Sequence, residues 1–337
     1  MQSVNKVPIW FMRQAGRYLP EYMKIREKEK DFLNLCLNPS LAAEISLQPI
    51  KRFDLDFIIL FCDILVIPYS LGQNVTFLKN HGPKLEPIST RKDIIYKTPE
   101  RCLEKISNVF KSVELLSERK GKKKLIGFCG GPFTVLNYMI EGGTSEKHEK
   151  IRHFVRKKKG KAQELSKIIT EVSIEYLKKQ IQNGVDYVQI FESWAGLLEE
   201  EEYDEFVIKP NKEISNKIRK FSPNTQIIHF PRGSKERYLN FVNEVDCDVI
   251  SVDQTCPESI REVAKKKDIT IQGDLDPKYL LGKEKNLLNK TIQILEKYKH
   301  NKHIFNLSHG ITPMTPIKNV EMIIKTVKNY EFTKATS

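Results

Sequence analysis

The sequence PIWFMRQAGR, residues 8–17, is a short apolar run that ends abruptly in two arginines separated by small residues. A run of this length predicts a buried strand, so Arg13 and Arg17 should emerge at its end. Two guanidiniums four residues apart can face one cavity, and the glycine between them lets backbone N–H groups approach a ligand. The segment therefore predicts a site for carboxylates or phosphates. The alternative is that both arginines lie on the surface and pair with Glu21 and Glu27.

The rest of the chain alternates short β-branched or aromatic runs with longer amphipathic segments, which predicts a parallel sheet with crossover helices. The eight predicted strands are 8–11, 57–61, 125–128, 187–191, 226–230, 249–252, 269–271 and 303–307. The predicted helices include 41–51, 101–116, 161–183, 201–218, 257–266, 285–298 and 316–330. Eight strand–helix units favour a single (β/α)8 TIM barrel, one domain over residues 1–337, rather than a doubly wound sheet.

Polar residues or glycines follow every predicted strand. In strand order they are Arg13 with Arg17, Asp63, Gly130 with Gly131, Glu192 with Ser193, Arg232 with Gly233, Asp253, Asp274 with Asp276, and residues 308–310. A polar residue after one strand means little, because loops are exposed. In a barrel, however, all these ends converge on one rim, where enzymes of this architecture place their active sites. The recurrence therefore predicts a single site.

The charge balance favours an anionic partner. The chain has 337 residues and a formal net charge of +13, with 56 Lys and Arg against 43 Asp and Glu. The basic stretches at 119–124 and 156–161 have no interleaved aromatic residues for stacking bases, so nucleic-acid binding is not expected. Lysine-rich composition also fits drift in an AT-rich genome.

Neither a membrane segment nor a metal-binding pattern is visible. No stretch resembles a signal peptide, and none approaches the roughly 18 apolar residues needed to span a bilayer. We therefore expect a soluble cytoplasmic protein without membrane contact. The six cysteines show no Cys-x-x-Cys spacing, which predicts neither a zinc site nor a disulfide framework.

Asp63 lies in FCDILVIP, residues 61–68, a carboxylate inside an apolar stretch. It could cap the helix that follows. It could also be an anion in a low-dielectric cavity, accepting hydrogen bonds from ligand N–H groups and stabilising positive charge that forms nearby. The sequence alone leaves both roles open.

Three further side chains are candidates for ligand contacts. Ser193 has no Gly-x-Ser-x-Gly context, so a hydroxyl that donates to a ligand carboxylate is expected rather than a nucleophile. Tyr138 could contact a ligand, or pack on its helix with the hydroxyl in water. His309 could bind a carboxylate, or be structural at a strand end. The glycine-rich segment at 127–134 lacks the lysine of a nucleotide-binding loop, so a nucleotide site is not expected.

Residues 8–17, together with YLPEY at 18–22, resemble the first signature of the uroporphyrinogen decarboxylase family. GFCGGPFT at 127–134 resembles the second. The resemblance implies a (β/α)8 barrel paired as a homodimer. It also implies an enzyme of haem biosynthesis that removes the four acetate carboxyls of uroporphyrinogen III to give coproporphyrinogen III, with no metal or other cofactor.

The resemblance also implies residue roles. Asp63 would be catalytic, gathering the pyrrole N–H groups at the centre of the macrocycle. The substrate-binding residues would be Arg13, Gln14, Ala15, Gly16, Arg17, Asp63, Tyr138, Ser193 and His309. The octacarboxylate substrate would suit a basic chain with paired arginines. Three positions depart from the family pattern: Glu192 stands where aspartate is usual, Asp274 where asparagine is usual, and Ser308 where glycine is usual.

Two other functions remain open on the sequence. One is a zinc-dependent methyltransferase of the same superfamily, which activates a thiol or corrinoid substrate. That chemistry needs a His/Cys/Cys-type site, and neither His229 nor His309 has a cysteine beside it. The other is a porphyrinogen or polyanion carrier without activity, which the three departures leave open.

Overall fold

The computed structural model describes residues 6–78, 82–96 and 98–331. Within these ranges nine strands form two sheets: β1 Phe57–Ile59, β2 Val75–Leu78, β3 Gly82–Leu85, β4 Lys124–Gly130, β5 Tyr187–Glu192, β6 Gln226–Pro231, β7 Val249–Ser251, β8 Thr270–Leu275 and β9 His303–Leu307. Seven of them pair in parallel in the order β1-β4-β5-β6-β7-β8-β9. The fold is therefore α/β with a curled parallel sheet, and β2 with β3 forms a separate antiparallel hairpin.

Helices connect the parallel strands. They are α1 Pro20–Lys28, α2 Phe32–Leu37, α3 Pro39–Arg52, α4 Val66–Ser70, α5 Pro99–Lys105, α6 Ser107–Arg119, α7 Pro132–Glu141, α8 Glu149–Lys157, α9 Lys159–Gln182, α10 Glu200–Tyr203, α11 Lys209–Phe221, α12 Arg237–Glu244, α13 Ile260–Lys266, α14 Glu284–Lys297 and α15 Ile317–Asn329. None of the helices in the described ranges is long and apolar enough to cross a bilayer.

Seven of the eight predicted strands are confirmed, with some ends shifted by a few residues. The strand predicted at 8–11 is present only as a parallel bridge between Ile9 and Phe305. Side chains replace the ladder there, because Gln14 Oε1 accepts from the Phe11 N–H and Asn306 Oδ1 accepts from the Met12 N–H. The segment still contacts both outer strands of the sheet, since its Ile9 carbonyl accepts the N–H of the residue that precedes β1.

Several helices differ from the prediction. The helix predicted at 101–116 is two helices, α5 and α6, and the one at 201–218 contains a π-helical turn at Asp204–Ile208. The helix predicted at 257–266 begins only at Ile260. The β2–β3 hairpin was not predicted at all, because its strands are only four residues long and β3 begins with Gly82 and Pro83, which are unfavourable in strands.

A hydrophobic cluster fills the concave face of the sheet. Trp10, Phe57, Ile126 and Ile228 belong to it, and they are almost completely buried. The Trp10 indole N–H donates to Gln272 Oε1 at 2.9 Å, so the polar edge of this cluster is satisfied. Because this face is packed, a ligand has access only at the ends of the strands.

Gln180 on α9 joins this helix to the sheet. The side chain is fully buried, its Oε1 accepts from the Phe128 N–H at 2.9 Å, and its Nε2 donates to the Phe128 carbonyl at 3.1 Å. A Cβ on Gly127 would overlap this amide, so the glycine makes room for it.

We predict that Gln180→Met lowers the free energy of unfolding by about 1–3 kcal/mol, because it leaves two buried backbone groups without partners. Urea denaturation measures the change. Gln163→Met on the exposed face of the same helix is the control and should stay within about 0.5 kcal/mol of the wild type. Equal effects of the two substitutions would contradict the assigned role of Gln180.

Candidate active site

The turn after residues 8–12 is held by Gln14. This side chain is fully buried, and besides its bond to Phe11 it donates from Nε2 to the Phe57 carbonyl at 3.0 Å. Both polar ends are therefore occupied by backbone. Gln14 fixes the turn onto β1, and its side chain is not free to contact a ligand.

Ala15, Gly16 and Arg17 present three successive backbone N–H groups. Within the described residues none of the three donates a hydrogen bond, whereas the carbonyls of Gln14 and Gly16 are tied back by the Tyr18 hydroxyl at 2.8 Å and the Leu19 N–H at 3.0 Å. Free backbone donors beside arginines suit an anionic ligand.

Surface pairing of the two arginines is not what the structure shows. Glu21 binds Arg52 instead, with oxygen–nitrogen distances of 2.8 and 2.9 Å. Neither Arg13 nor Arg17 forms an ion pair with any described residue. Both side chains are exposed and available to a ligand.

Arg13 takes a backbone φ of 60°, a left-handed conformation that costs a non-glycine residue on the order of 1–3 kcal/mol. Its side-chain stem then lies against Gly310, where any Cβ would overlap it. Residue 310 must therefore lack a side chain for Arg13 to lie across the rim. Strain of this kind concentrates at functional sites.

Asp63 lies between β1 and α4. Its Oδ1 accepts from the Leu65 N–H at 2.9 Å, so the carboxylate does stabilise the turn before the helix. Its second oxygen accepts nothing from the described residues. Burial raises the pKa of Asp63, while the Leu65 hydrogen bond and the charge of Arg13 lower it. The carboxylate thus combines a capping contact with one oxygen free for a ligand.

Tyr138 projects from α7 toward the same charges. Burial is the main cause that raises the pKa of its hydroxyl. The nearby Trp194 side chain lowers this pKa, the Asp63 charge raises it, and the Arg13 charge lowers it. The hydroxyl therefore lies among Trp194, Asp63 and Arg13, which disfavours the alternative of a hydroxyl in open water.

His309 follows β9 and is uncharged at neutral pH. Burial and the charges of Arg13 and Arg232 lower its pKa to about 4. Its Nδ1 accepts the Gly310 N–H at 2.8 Å, so the ring proton is on Nε2. His309 therefore offers a neutral N–H donor, which suits a carboxylate held between two arginines.

Ser193 lines a cavity of about 250 Å³ at the ends of β5, β6 and β7, together with Trp194, Arg232 and Gln254. Gln254 Nε2 donates to Ser308 Oγ at 2.8 Å, which ties this cavity to the loop that carries His309. The cavity and the Arg13 region therefore lie on the same rim.

Glu192 anchors the start of α7 although it is almost completely buried. Its oxygens accept from the N–H groups of Phe133 and Thr134, each at 3.0 Å, from Thr134 Oγ1 at 2.8 Å and from Asn211 at 3.3 Å. Burial raises the pKa of Glu192 to about 7. Any side chain on Gly131 would overlap this carboxylate, so that glycine leaves room for glutamate.

The structure brings together most of the predicted site residues. Arg13 acts electrostatically on Asp63, Tyr138 and His309, and so marks the centre of the group. Arg17 is different, because its charge acts on Tyr22. Trp194 and Arg232 were not assigned roles from the sequence. Position after a strand was the only signal for Arg232.

The metal-dependent alternative finds no ligand set in the described ranges. No three His, Cys, Asp or Glu side chains there are grouped as a metal would require. His229 points toward α11, where its Nε2 is 2.8 Å from Ser215 Oγ. His229 therefore has a structural contact with α11 and is not one of the residues at the rim.

The fold and the site define an α/β protein that presents arginines and backbone N–H donors, without partners among the described residues, at the carboxyl ends of its parallel strands. The sequence model for uroporphyrinogen decarboxylase (URO-D) matches residues 1–330, and the chain belongs to this family. It is 44% identical over 330 residues to uroporphyrinogen decarboxylase of Rickettsia conorii, covering 97% of this chain and 94% of that one. It is 43% identical over 340 residues to that of Orientia tsutsugamushi, covering 97% and 95%.

Solved structures agree on the fold. A methyltransferase from Methanosarcina mazei superposes with a TM-score of 0.76 at 18% identity, covering 96% of this chain and 94% of that one. At this identity the likeness concerns the fold alone. The sequence comparisons favour the decarboxylase over the methyltransferase alternative.

We predict that Glu192→Gln lowers the free energy of unfolding by about 1–3 kcal/mol, because the new amide group turns a donor toward the donors at the start of α7. Thermal denaturation measures the change, and Glu262→Gln on the exposed face of α13 is the control. Unchanged stability of the Glu192 variant would show that the four contacts are not needed.

Proposed function

We propose that this protein removes the four acetate carboxyl groups of uroporphyrinogen III, giving coproporphyrinogen III and CO2, as a step of haem biosynthesis. The observation that carries the proposal is the placement of Arg13, a cation without an ion-pair partner among the described residues. Its side-chain stem lies against Gly310, next to the neutral His309, and its charge acts on the half-buried Asp63. Membership of the family supplies the reaction.

The substrate carboxylates are bound by the donors at the rim. Arg13, Arg17 and the free N–H groups of residues 15–17 provide charge and backbone donors. His309 Nε2–H and the Ser193 and Tyr138 hydroxyls add neutral ones. Gln14 acts in this scheme through its hold on the turn.

The chemistry needs a place for electrons when CO2 leaves. Protonation of the electron-rich pyrrole creates an electron sink within the substrate, so loss of CO2 does not leave a free carbanion. One proton replaces each CO2, and an acetate side chain becomes a methyl group. The free oxygen of Asp63 accepts pyrrole N–H groups, and its charge stabilises the cationic intermediate in a site of low dielectric. This scheme requires neither metal nor another cofactor.

We predict that Asp63→Asn keeps the fold and lowers turnover by about a hundredfold or more, because the amide cannot stabilise the cationic intermediate. An anaerobic assay of uroporphyrinogen consumption measures the rate. Asp268→Asn, on an exposed turn, makes the same chemical change away from the rim and should leave the rate unchanged. Near-normal turnover of the Asp63 variant would refute its assignment as the catalytic residue.

We also propose that residues 8–12 occupy the position of the eighth strand and close the sheet into a (β/α)8 barrel. The segment is supported on one side by Phe305 of β9 and on the other by Asp56, whose Oδ2 accepts the Ile9 N–H at 2.7 Å. Lys328 Nζ holds the other oxygen of Asp56 at 2.6 Å. Asp56 thus supports the junction with a carboxylate instead of a regular ladder.

We predict that Asp56→Ala increases hydrogen exchange at the Ile9 and Trp10 amides, because the carboxylate that holds the segment is removed. Native-state exchange read by NMR or mass spectrometry measures it. Asp54→Ala in the same turn removes an ion pair with Lys123 and a longer one of 3.8 Å with Lys328. It leaves the Asp56 carboxylate on the Ile9 N–H, so these amides should stay protected. Unchanged exchange in the Asp56 variant would refute the support that this carboxylate gives.

The proposal also covers the domain organisation, the oligomeric state, the compartment and the partners of the protein. We place the whole chain, 1–337, in one domain that pairs as a homodimer in the cytoplasm, with no nucleic-acid partner. Sedimentation of the purified protein tests the dimer. The unpaired cations at the rim support a small anionic substrate rather than a nucleic acid, since no aromatic stacking platform accompanies the basic stretches.

A further inference from the structure

We propose that Arg232 is a further substrate-binding residue: its guanidinium, with the Ser193 hydroxyl, forms a second cationic subsite that holds one side-chain carboxylate of the substrate. The subsite is the cavity of about 250 Å³ at the ends of β5, β6 and β7. The inference rests on the proposed decarboxylase function, and it adds a cation that neither the sequence motifs nor the family match assigns.

The first observation is an unsatisfied cation. Arg232 is half-buried, and within the described ranges its guanidinium forms neither an ion pair nor a hydrogen bond. Other arginines of similar burial are bound: Arg219 pairs with Asp246 and Asp248. A partly desolvated charge without a partner is unfavourable in the free protein, and a bound carboxylate would supply the missing partner.

The nearest acid in the cavity does not serve as that partner. Asp253 lines the cavity, but its Oδ2 accepts the Gly233 N–H at 2.6 Å. Its Oδ1 accepts the N–H and the hydroxyl of Thr255, at 2.8 and 2.6 Å. Asp253 is therefore used to hold two loops in place, and Arg232 remains available.

The backbone of Arg232 is fixed on both sides. Its N–H donates to the Glu192 carbonyl, and its own carbonyl accepts the Gly196 N–H, both at 3.1 Å. Gly196 packs so closely on Gly233 that any Cβ would overlap backbone. Only the side chain is free to move, and a rigid base of this kind lowers the ordering cost of binding.

The cavity belongs to the same rim as the proposed site. The charges of Arg232 and Arg13 both lower the pKa of His309, so both guanidiniums lie near this histidine. An octacarboxylate has more carboxylates than Arg13 and Arg17 can hold. A third arginine beyond His309 would fix the orientation of the macrocycle as successive acetates are presented to Asp63.

The test compares Arg232→Gln, Arg232→Lys and the control Arg119→Gln, an exposed arginine on α6 with the same change of charge. Steady-state kinetics with uroporphyrinogen III give KM and kcat, and chromatography gives the partly decarboxylated products. We expect KM to rise about tenfold or more in Arg232→Gln and less in Arg232→Lys, with intermediates accumulating. Arg119→Gln should match the wild type.

A second readout separates binding from folding. NMR titration of His309 should show a pKa near 4 in the wild type and a higher pKa in Arg232→Gln, because one cation facing the ring is gone. Arg232→Lys keeps the charge and should restore the lower value. If the wild type turns over uroporphyrinogen while KM and products are unchanged in Arg232→Gln, the subsite is refuted. If the wild type has no turnover, the decarboxylase function itself fails.

Discussion

The insertion of residues 8–12 between the two outer strands of the sheet is the constraint on which the site depends. The Pro8 carbonyl accepts the Phe305 N–H at 2.8 Å, and the Ile9 carbonyl accepts the Asp56 N–H at 3.0 Å. These bonds bring the start of the chain to β9 and β1 at once. Arg13 therefore lies at the rim, where Asp63 follows β1 and His309 follows β9. Without this junction, residues from opposite ends of the sequence would not lie on one rim.

Electrostatic imbalance is the second feature of the rim. Arg13 and Arg232 lack ion-pair partners among the described residues, and Asp253, which lines the cavity with Arg232, is engaged by the Gly233 and Thr255 N–H groups. The two positive charges lower the pKa of His309 and keep it neutral, since a third positive charge would add to the repulsion between them. An anionic ligand relieves this imbalance, which is why the arrangement favours carboxylates over neutral substrates.

Most strands and most of the candidate site residues could be predicted from the sequence. The features that the sequence did not reveal were missed for physical reasons. Seven strands were found because buried parallel strands are continuous apolar runs. The 8–11 segment was overpredicted because side chains of Gln14 and Asn306 replace its ladder, which no periodicity reveals. Asp63 and His309 stood out from their apolar or glycine-rich surroundings. Arg232 did not, since its significance lies in the absence of a partner, which only tertiary structure shows.

The three departures from the family pattern are each satisfied locally. Glu192 receives three hydrogen bonds from the start of α7 and a fourth from Asn211 on α11. The carboxylate of Asp274 accepts from Lys297 at 2.7 Å and from the Tyr298 hydroxyl at 2.9 Å. The Ser308 hydroxyl oxygen accepts a hydrogen bond from Gln254 Nε2, which also donates to the Asp274 carbonyl. Since none of these contacts involves Arg13, Asp63 or His309, the departures leave those three side chains available to a ligand, and they give no support to a carrier that has lost its activity.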